Sequence, residues 1–148
     1  MSPLPTDRIV VPIASTTDAV ETIDSLKQRL NQSGDSVLEV VLVHVIVKGG
    51  GGIDKAPMEA RQEMADDIFD TANEAFAGTN VQITDALVYD TDLISGIVTA
   101  AADHDADAIV FRPRKSGRLV RLLTGDRPGQ LIRESTVPVL VLPTDTEA

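Results

Sequence analysis

The feature that most constrains the fold is an alternation, along the chain, between short apolar runs and longer segments with helical spacing. The run from Arg8 to Ile13 is apolar at every position after Arg8, as in strands that are buried on both faces. The segment from Thr16 to Leu30 then places its apolar residues at helical intervals. This alternation continues to the last apolar run, which predicts parallel strands connected by crossover helices.

The pattern predicts five strands, at residues 8–13, 36–47, 81–89, 107–111 and 137–142, and four helices, at 16–30, 58–76, 92–104 and 126–135. Helical spacing predicts that three of these helices bury the stripes Ala19, Val20, Ile23, Leu26, Leu30; Met64, Ala65, Ile68, Phe69, Ala72, Ala75, Phe76; and Leu93, Ile94, Ile97, Val98, Ala101. In the first helix, Lys27 and Arg29 are expected in the last turn. The expected fold class is α/β: a single-domain, doubly wound parallel five-stranded sheet, Rossmann-like or flavodoxin-like.

Length and composition set the domain organisation. The chain has 148 residues, a length typical of one domain. It has no cysteine, so disulfides and thiolate sites are excluded. We expect the domain to span residues 8–143, with a disordered tail at 1–7 and a short tail at 144–148. No segment reaches the roughly 20 apolar residues that span a bilayer, and the N-terminus lacks signal-peptide features. A cytoplasmic protein without membrane insertion is expected.

The net charge of −10 excludes general binding to nucleic acid, whose phosphates it would repel. The excess of Asp over Lys also resembles proteins of salt-loving organisms, in which salt screens self-repulsion. Full stability in dilute buffer would count against this halophile-like character. The window from Arg112 to Arg133 is the exception, because it holds one acid, Asp126, and seven basic residues: Arg112, Arg114, Lys115, Arg118, Arg121, Arg127 and Arg133.

Ligands of doubly wound sheets bind beyond the carboxyl ends of the strands. In this chain those ends are expected at Pro12–Thr16, His44–Gly52, Tyr89–Asp92 and Arg112–Arg127. The glycines Gly49–Gly52 lack a following Lys-Ser/Thr pair and a directly following helix, so they do not form a P-loop.

Three segments carry a resemblance to a known family: IVVPI at the first strand, VLVHV at the second, and DADAIVF, RPRKSGRLVRLLTGD and TVPVLVLP in the last third. Together they resemble the universal stress protein family over residues 8–143. The resemblance implies a Rossmann-like fold similar to the adenine nucleotide alpha hydrolases. It also implies ATP held at the switch between strands, with a glycine-rich loop around the phosphates.

The resemblance places ligand-binding positions at Pro12, Ile13, Ala14, Val45, Arg112, Arg114, Lys115, Gly125, Asp126 and Arg127. The family has Asp at position 14, Gly at 112, 115 and 125, and Ser or Thr at 126. Only Gly125 is retained. Side chains at Arg112 and Lys115 fill space that glycines leave open, and Asp126 favours capping its own helix over holding a phosphate. Family-style ATP binding is therefore not expected.

Two alternatives remain open for the basic segment. Arg112, Arg114 and Lys115, with Arg118 and Arg121, could bind ATP, another adenine nucleotide or a different anion through side-chain charge. Alternatively, these charges only offset an acidic surface, and charge reversal of Arg114 and Lys115 would leave binding unchanged.

No metal or catalytic set is expected. Asp103, His104, Asp105 and Asp107 include metal-ligand types, but a helix end leading into a strand explains them equally. Ser15 and Thr16 are expected to cap the first helix rather than to act with His44 in a triad. A slow ATPase or phosphotransfer enzyme remains the least favoured function.

In the resembled family the last strand pairs with its copy in a second subunit. The apolar residues that would otherwise leave an exposed edge are Val137, Val139, Leu140, Val141 and Leu142. Pro138 removes one amide donor from this strand, and the alternative is a monomer whose edge is guarded by Asp145 and Glu147. We expect a homodimeric, non-catalytic stress-response or regulatory module, with a regulatory protein partner and no nucleic acid.

Overall fold

The computed structural model describes residues 7–33, 39–47, 58–79, 81–112 and 127–142; the side chains of 30–33, 58, 127 and 128 are not included. Its strands are β1 Arg8–Pro12, β2 Glu39–Val47, β3 Gln82–Asp90, β4 Ala108–Phe111 and β5 Val139–Val141. Its helices are α1 Thr16–Ser33, α2 Met58–Ala75, α3 Leu93–Asp103 and α4 Arg127–Glu134. The expected tails at 1–7 and 144–148 lie outside these ranges, apart from Asp7.

The five strands form one parallel sheet in the order β3-β2-β1-β4-β5. The chain first adds strands on one side of β1 and then crosses to the other side for β4. The expected doubly wound α/β fold is confirmed. The direction of winding reverses between β1 and β4, and this switch point is where such sheets bind ligands.

Helices cover both faces of the sheet, so the core has two layers. Ile9, Val11 and Ile13 of the first strand and its extension face α1 and α2, whereas Val10 faces the layer that contains α3 and Leu131 of α4. Most of the side chains in both layers are aliphatic. Alternate residues of a strand point to opposite faces, so one strand contributes side chains to both layers. The central strand β1 is therefore apolar on both sides.

Helix α1 differs from the expectation. It continues to Ser33 instead of ending near Leu30, so Lys27 and Arg29 are not in its last turn. Lys27 instead donates to the carbonyl oxygen of Ala75, 2.8 Å away, at the C-terminal end of α2. This contact satisfies a carbonyl that the helix leaves unpaired and places a positive charge at the negative end of its dipole.

Two predicted stripe residues are exposed, Ala75 and Val98 are partly buried, and the side chain of Leu30 lies outside the described residues. Val20 is 42% exposed and Met64 is 53% exposed, while Ile23, Leu26 and Ile68 are buried as expected. Val20 and Met64 both lie at the edge of the apolar stripe of their helix, where helical spacing alone does not determine whether a side chain is buried. The third predicted strand, at 81–89, is the edge strand β3, and its Gln82 and Asp85 are exposed.

A polar network closes the amino ends of the strands. Arg8 of β1 bonds Glu39 of β2 at 2.7 Å, and Glu39 accepts a hydrogen bond from Thr84 of β3 at 2.6 Å. The Thr84 hydroxyl, together with Arg8, lowers the pKa of the Glu39 carboxyl. Arg8 also donates to the carbonyl oxygen of His104 at the end of α3. These contacts lie at the opposite end of the sheet from the carboxyl ends of the strands, where sheets of this type bind ligands.

None of the helices in the described part of the chain is both long enough and apolar enough to cross a membrane.

Candidate functional site at the switch point

The candidate site lies where β1 and β4 end side by side. We define the switch point as residues 13–15, which follow β1, together with Arg112, which follows β4. Parallel pairing of β1 with β4 brings the two carboxyl ends to the same edge of the sheet. The N-terminal part of α1 begins directly after residues 13–15 and borders the same place.

The peptide unit that joins Ile13 to Ala14 is satisfied on both sides by protein side chains. The carbonyl oxygen of Ile13 lies 2.9 Å from Nδ1 of His44. The amide nitrogen of Ala14 donates to Oδ2 of Asp18 over 2.8 Å. In addition, the amide of Ile13 donates to the carbonyl of Val43, which extends the pairing of β1 with β2 by one residue. The backbone after β1 is therefore already hydrogen-bonded within the protein.

The turn into α1 is held by a reciprocal cap. Ser15 precedes the helix, and its hydroxyl oxygen accepts a hydrogen bond from the amide of Asp18 at 3.0 Å. This confirms the expected N-terminal cap. The Asp18 carboxylate is buried, and besides Ala14 it accepts from the hydroxyl of Thr22 at 3.1 Å. Ser15 and Asp18 have the spacing of a capping box, with the carboxylate bonding one residue before the cap.

Arg112 crosses from β4 to α1. Its guanidinium nitrogen lies 3.1 Å from Oε1 of Glu21, and the side chains are 11% and 45% exposed respectively. In β4, Ala108 and Val110 face the α1 and α2 layer. Because alternate residues share a face, Arg112 continues on the side that carries α1. A mostly buried cation thus lies at the position where the resemblance implies a glycine.

His44 connects β2 to the switch point. The Ile13 oxygen can only accept a hydrogen bond, so His44 carries its hydrogen on Nδ1 and leaves Nε2 as an acceptor when the ring is neutral. Burial lowers the pKa of His44, the hydrogen bond to Ile13 partly opposes this effect, and the Arg61 guanidinium lowers it further. The neutral form is therefore favoured at neutral pH.

The N-terminal end of α3 packs closely against β2 and β3. A Cβ placed on Gly96 would lie 2.9 Å from Cγ1 of Val45 and 3.4 Å from Cβ of Asp90. Asp92 caps this helix by accepting from the amide of Ser95 at 2.8 Å. The Val45 side chain is thus packed by α3 and is only partly exposed.

The structure brings together some of the expected ligand-binding residues. Pro12, Ile13, Ala14 and Arg112 lie at the switch point, and Val45 lies two strands from β4, on β2. Arg127 begins α4, but its side chain is not described. Four further expected residues lie outside the described residues: Arg114, Lys115, Gly125 and Asp126.

Two of the positions that the resemblance assigns to ATP binding already have partners within the protein. The Asp18 carboxylate accepts a hydrogen bond from the amide of Ala14. The Arg112 side chain fills the end of β4, and its charge is already paired with Glu21.

The other candidate residues have structural partners. His104 ends α3, where its amide donates to the carbonyl of Ala100, and Asp107 accepts from the amide of Arg8. Asp105 has a positive φ of 52° in the turn between them. Within the described ranges, no group of three or more His, Asp and Glu side chains is arranged to hold a metal ion. Ser15 and His44, which were considered for a catalytic triad, have separate partners. The Ser15 hydroxyl accepts from the Asp18 amide, and His44 bonds the Ile13 carbonyl.

The outer edge of β5 presents a mixture of apolar and backbone groups. Val141 is 52% exposed, Val139 and Leu140 are half-buried, and Leu142 is buried, so the expectation of exposure was wrong for Leu142. Val137 is half-buried. The carbonyl of Pro138 and the amide of Leu142 both bond β4. Since backbone groups of alternate residues point to opposite edges, those of Val139 and Val141 point outward.

The same alternation corrects the expectation about Pro138. Its carbonyl accepts from the amide of Ile109 in β4. The amide that proline lacks would also point toward β4, so its loss does not weaken the outer edge of β5. Ile132 of α4, which is 54% exposed, adds a further apolar side chain on the helix that precedes β5.

Sequence reasoning missed the roles of Asp18 and Glu21. The spacing of Ser15 and Asp18 is a signal that could have identified the cap, although not the bond to Ala14. Nothing in the sequence pairs Glu21 with Arg112, because ninety-one positions separate them.

Comparisons with known proteins agree with this architecture. A universal stress protein from Archaeoglobus fulgidus is 22% identical, with a TM-score of 0.62 over 94% of this chain and 100% of that chain. The Archaeoglobus fulgidus protein in complex with dAMP is 21% identical, with a TM-score of 0.59 over 95% and 100%. A universal stress protein in complex with cAMP is 18% identical, with a TM-score of 0.58 over 95% and 100%.

These structural similarities support the fold. No curated protein sequence matches the chain. The sequence model described as the universal stress protein family matches residues 5–143, which is nearly the full length. The chain therefore belongs to the universal stress protein family.

Proposed function

We propose that this chain is a cytoplasmic, homodimeric regulatory module of the stress response that has no catalytic activity and does not bind ATP in the manner of its family. The observation that carries this proposal is the peptide unit between Ile13 and Ala14. Its carbonyl is bonded to His44 and its amide to Asp18. A nucleotide at the switch point would find this backbone already hydrogen-bonded, and breaking such bonds offsets the gain from new ones.

The charges around the turn support the same proposal. Asp18 is buried directly at the start of α1, where an anion would otherwise be favoured by the exposed amides and the helix dipole. The carboxylate thus takes the place that a phosphate would need. Arg112, the described cation at this point, is paired with Glu21.

The proposed module acts through protein contacts, and a second copy of the chain is the first of them. The outward backbone groups of Val139 and Val141 are able to pair with another strand, and Val141 is exposed beside them. Pairing of two copies about a two-fold axis would place the same residues opposite each other.

A nucleotide-binding sensor is the second candidate function. Two structural neighbours were solved with dAMP and with cAMP, which favours an adenine nucleotide as the ligand to test. In this alternative the basic segment from Arg112 to Arg127 holds the phosphate by side-chain charge. A slow ATPase or phosphotransfer activity is a third, because a bound triphosphate would be its substrate.

Isothermal titration calorimetry with ATP and with AMP tests the proposal. We expect no binding with micromolar affinity for either nucleotide at neutral pH. The Archaeoglobus fulgidus protein titrated with dAMP serves as a control for the measurement. Micromolar affinity of this chain for ATP or AMP would contradict the proposal and favour the sensor. Single-turnover hydrolysis of labelled ATP, at saturating protein, separates the sensor from the enzyme.

A further inference from the structure

We propose that Glu21 and Arg112 form a latch that determines which ligands enter the switch point. By latch we mean their ion pair, which ties the end of β4 to α1. This inference rests on the proposed function, since it adds a second contact to the hydrogen bonds of Ile13 and Ala14 that oppose a ligand at the switch point. It assigns to Glu21 a control over specificity.

The position of the pair is the first argument. Arg112 follows β4 directly, and β4 lies beside β1 in the sheet. Glu21 lies in the second turn of α1, the helix that follows β1. The pair therefore spans from one strand of the switch point to the helix that leaves the other strand. A ligand that binds beyond the carboxyl ends of both strands would therefore lie close to the pair.

The burial of Arg112 is the second argument. Its side chain is 11% exposed although it is long and charged and lies just after a strand end. A cation in such a place is retained only when it is paired, because desolvation opposes its burial. Glu21, which is 45% exposed, is the carboxylate that supplies the pairing. Without Glu21 the guanidinium gains by turning toward solvent, and the space beside residues 13–15 opens.

We expect small changes in conditions, such as added salt, to break the ion pair of the latch. The Glu21 side of the pair is 45% exposed, so solvent reaches the carboxylate and salt screens its attraction to Arg112. The latch therefore controls access without a large contribution to stability. Its release leaves the contacts of Ala14 with Asp18 and of Ile13 with His44 in place.

Adenosine is the sharpest probe, because it is uncharged and its binding is not itself screened by salt. We would follow amide chemical shifts of the labelled protein during titration with adenosine, which detects millimolar affinities. The variants are Glu21→Gln, Arg112→Ala and the double variant. Glu63→Gln makes the same charge change on the exposed side of α2 and serves as the matched control.

The latch predicts that Glu21→Gln and Arg112→Ala each raise the association constant for adenosine by about threefold to fivefold, the range that an ion pair of this kind supports. The double variant should gain no more than the larger single gain, because one contact is broken in all three. Salt at 1 M should raise binding to the wild type and leave Glu21→Gln unchanged. Glu63→Gln should bind as the wild type does.

Equal adenosine binding by the wild type and Glu21→Gln would overturn the latch, as would additive gains in the double variant. Circular dichroism melts verify that each variant is folded, and Glu21→Gln alone decides if Arg112→Ala is not. Failure of the proposed function is distinguishable, because it would appear as micromolar binding of ATP or AMP to the wild type. Whether or not the wild type binds ATP or AMP, the relative association constants of the variants for adenosine test the latch.

Discussion

At the scale of the residue, His44 combines a structural contact with a titratable ring near the carboxyl end of β2. Its Nδ1–H donates to the oxygen of Ile13, and burial lowers its pKa. The groups known to face it are the Ile13 carbonyl and the Arg61 guanidinium. Protonation would add a second charge near Arg61 in a partly buried place. The ring is therefore expected to report on the state of the turn after β1.

We predict that His44 titrates below the usual value of about 6.5 for histidine. The chain has two histidines, so proton NMR resolves both, and His104→Gln assigns the remaining signal to His44. Because the folded-state pKa is lowered, the unfolded chain binds more protons as pH falls below about 6.5. Wild-type stability should then decline relative to His44→Gln until pH passes below the folded pKa. A His44 midpoint at or above 6.5 would contradict this prediction.

At the scale of the element, the close packing of α3 on β2 depends on Gly96, which has no side chain. Gly96 lies at the end of the first turn of α3, and Val45 lies against the place where a Cβ of Gly96 would be. Glycine within a helix costs about 1 kcal/mol relative to alanine. The close approach of the helix offsets this cost, since it buries Ile94 and Ile97 on the same layer.

We predict that Gly96→Ala lowers the free energy of unfolding by about 1–2 kcal/mol, because Val45 is β-branched and cannot turn away freely. In a Val45→Ala background the same substitution should instead raise it by about 0.5–1 kcal/mol, through helix propensity. Thr99→Ala, at an exposed position of α3, controls for propensity alone. Urea denaturation measures all four variants. An equal loss in both backgrounds would show that Val45 is not the obstacle.

At the scale of the whole molecule, the edges of the sheet differ. The outer strand β3 is nine residues long and carries exposed polar side chains, whereas β5 is three residues long and carries exposed Val141. Polar side chains protect an edge from pairing with other chains. The β5 edge is therefore the better candidate for the contact between two copies.

We predict that Val141→Lys shifts the proposed dimer toward monomer by about tenfold or more in dissociation constant, because it places charge at the centre of the contact. The monomer should remain folded, since the side chain is half exposed. Met64→Lys is the matched control, because Met64 is equally exposed on α2. Sedimentation velocity over a range of concentrations measures the effect. A wild type that is monomeric throughout would favour an edge guarded by the acidic tail.

The acidic surface also belongs to this scale. Helix α2 exposes six carboxylates, with like charges four positions apart: Glu59, Glu63, Asp66, Asp67, Asp70 and Glu74. Like charges at this spacing destabilise a helix slightly, and salt screens them. The halophile-like character stays a prediction. If it is correct, the melting temperature should rise with salt concentration, which thermal melts at several salt concentrations measure.

The sequence allowed the order of the elements and the parallel sheet to be predicted, because strand and helix periods alternate along the chain. Burial at the flanks of helices was harder to predict, as Val20 and Met64 show, since it depends on how neighbouring helices approach. The resemblance located the switch point. It did not reveal that Asp18 bonds Ala14 or that Glu21 bonds Arg112, because these contacts require the three-dimensional path of the chain.

The position of β1 at the centre of the sheet has a consequence for synthesis on the ribosome. Its pairing with β2 is formed by neighbouring parts of the chain, but its other neighbour, β4, is translated only after β2, α2, β3 and α3. Until then, a strand whose Val10 and Val11 are fully buried in the finished protein leaves one edge open on the nascent chain. We therefore expect the interval before β4 emerges to be the period when this edge is most exposed to pairing with other chains.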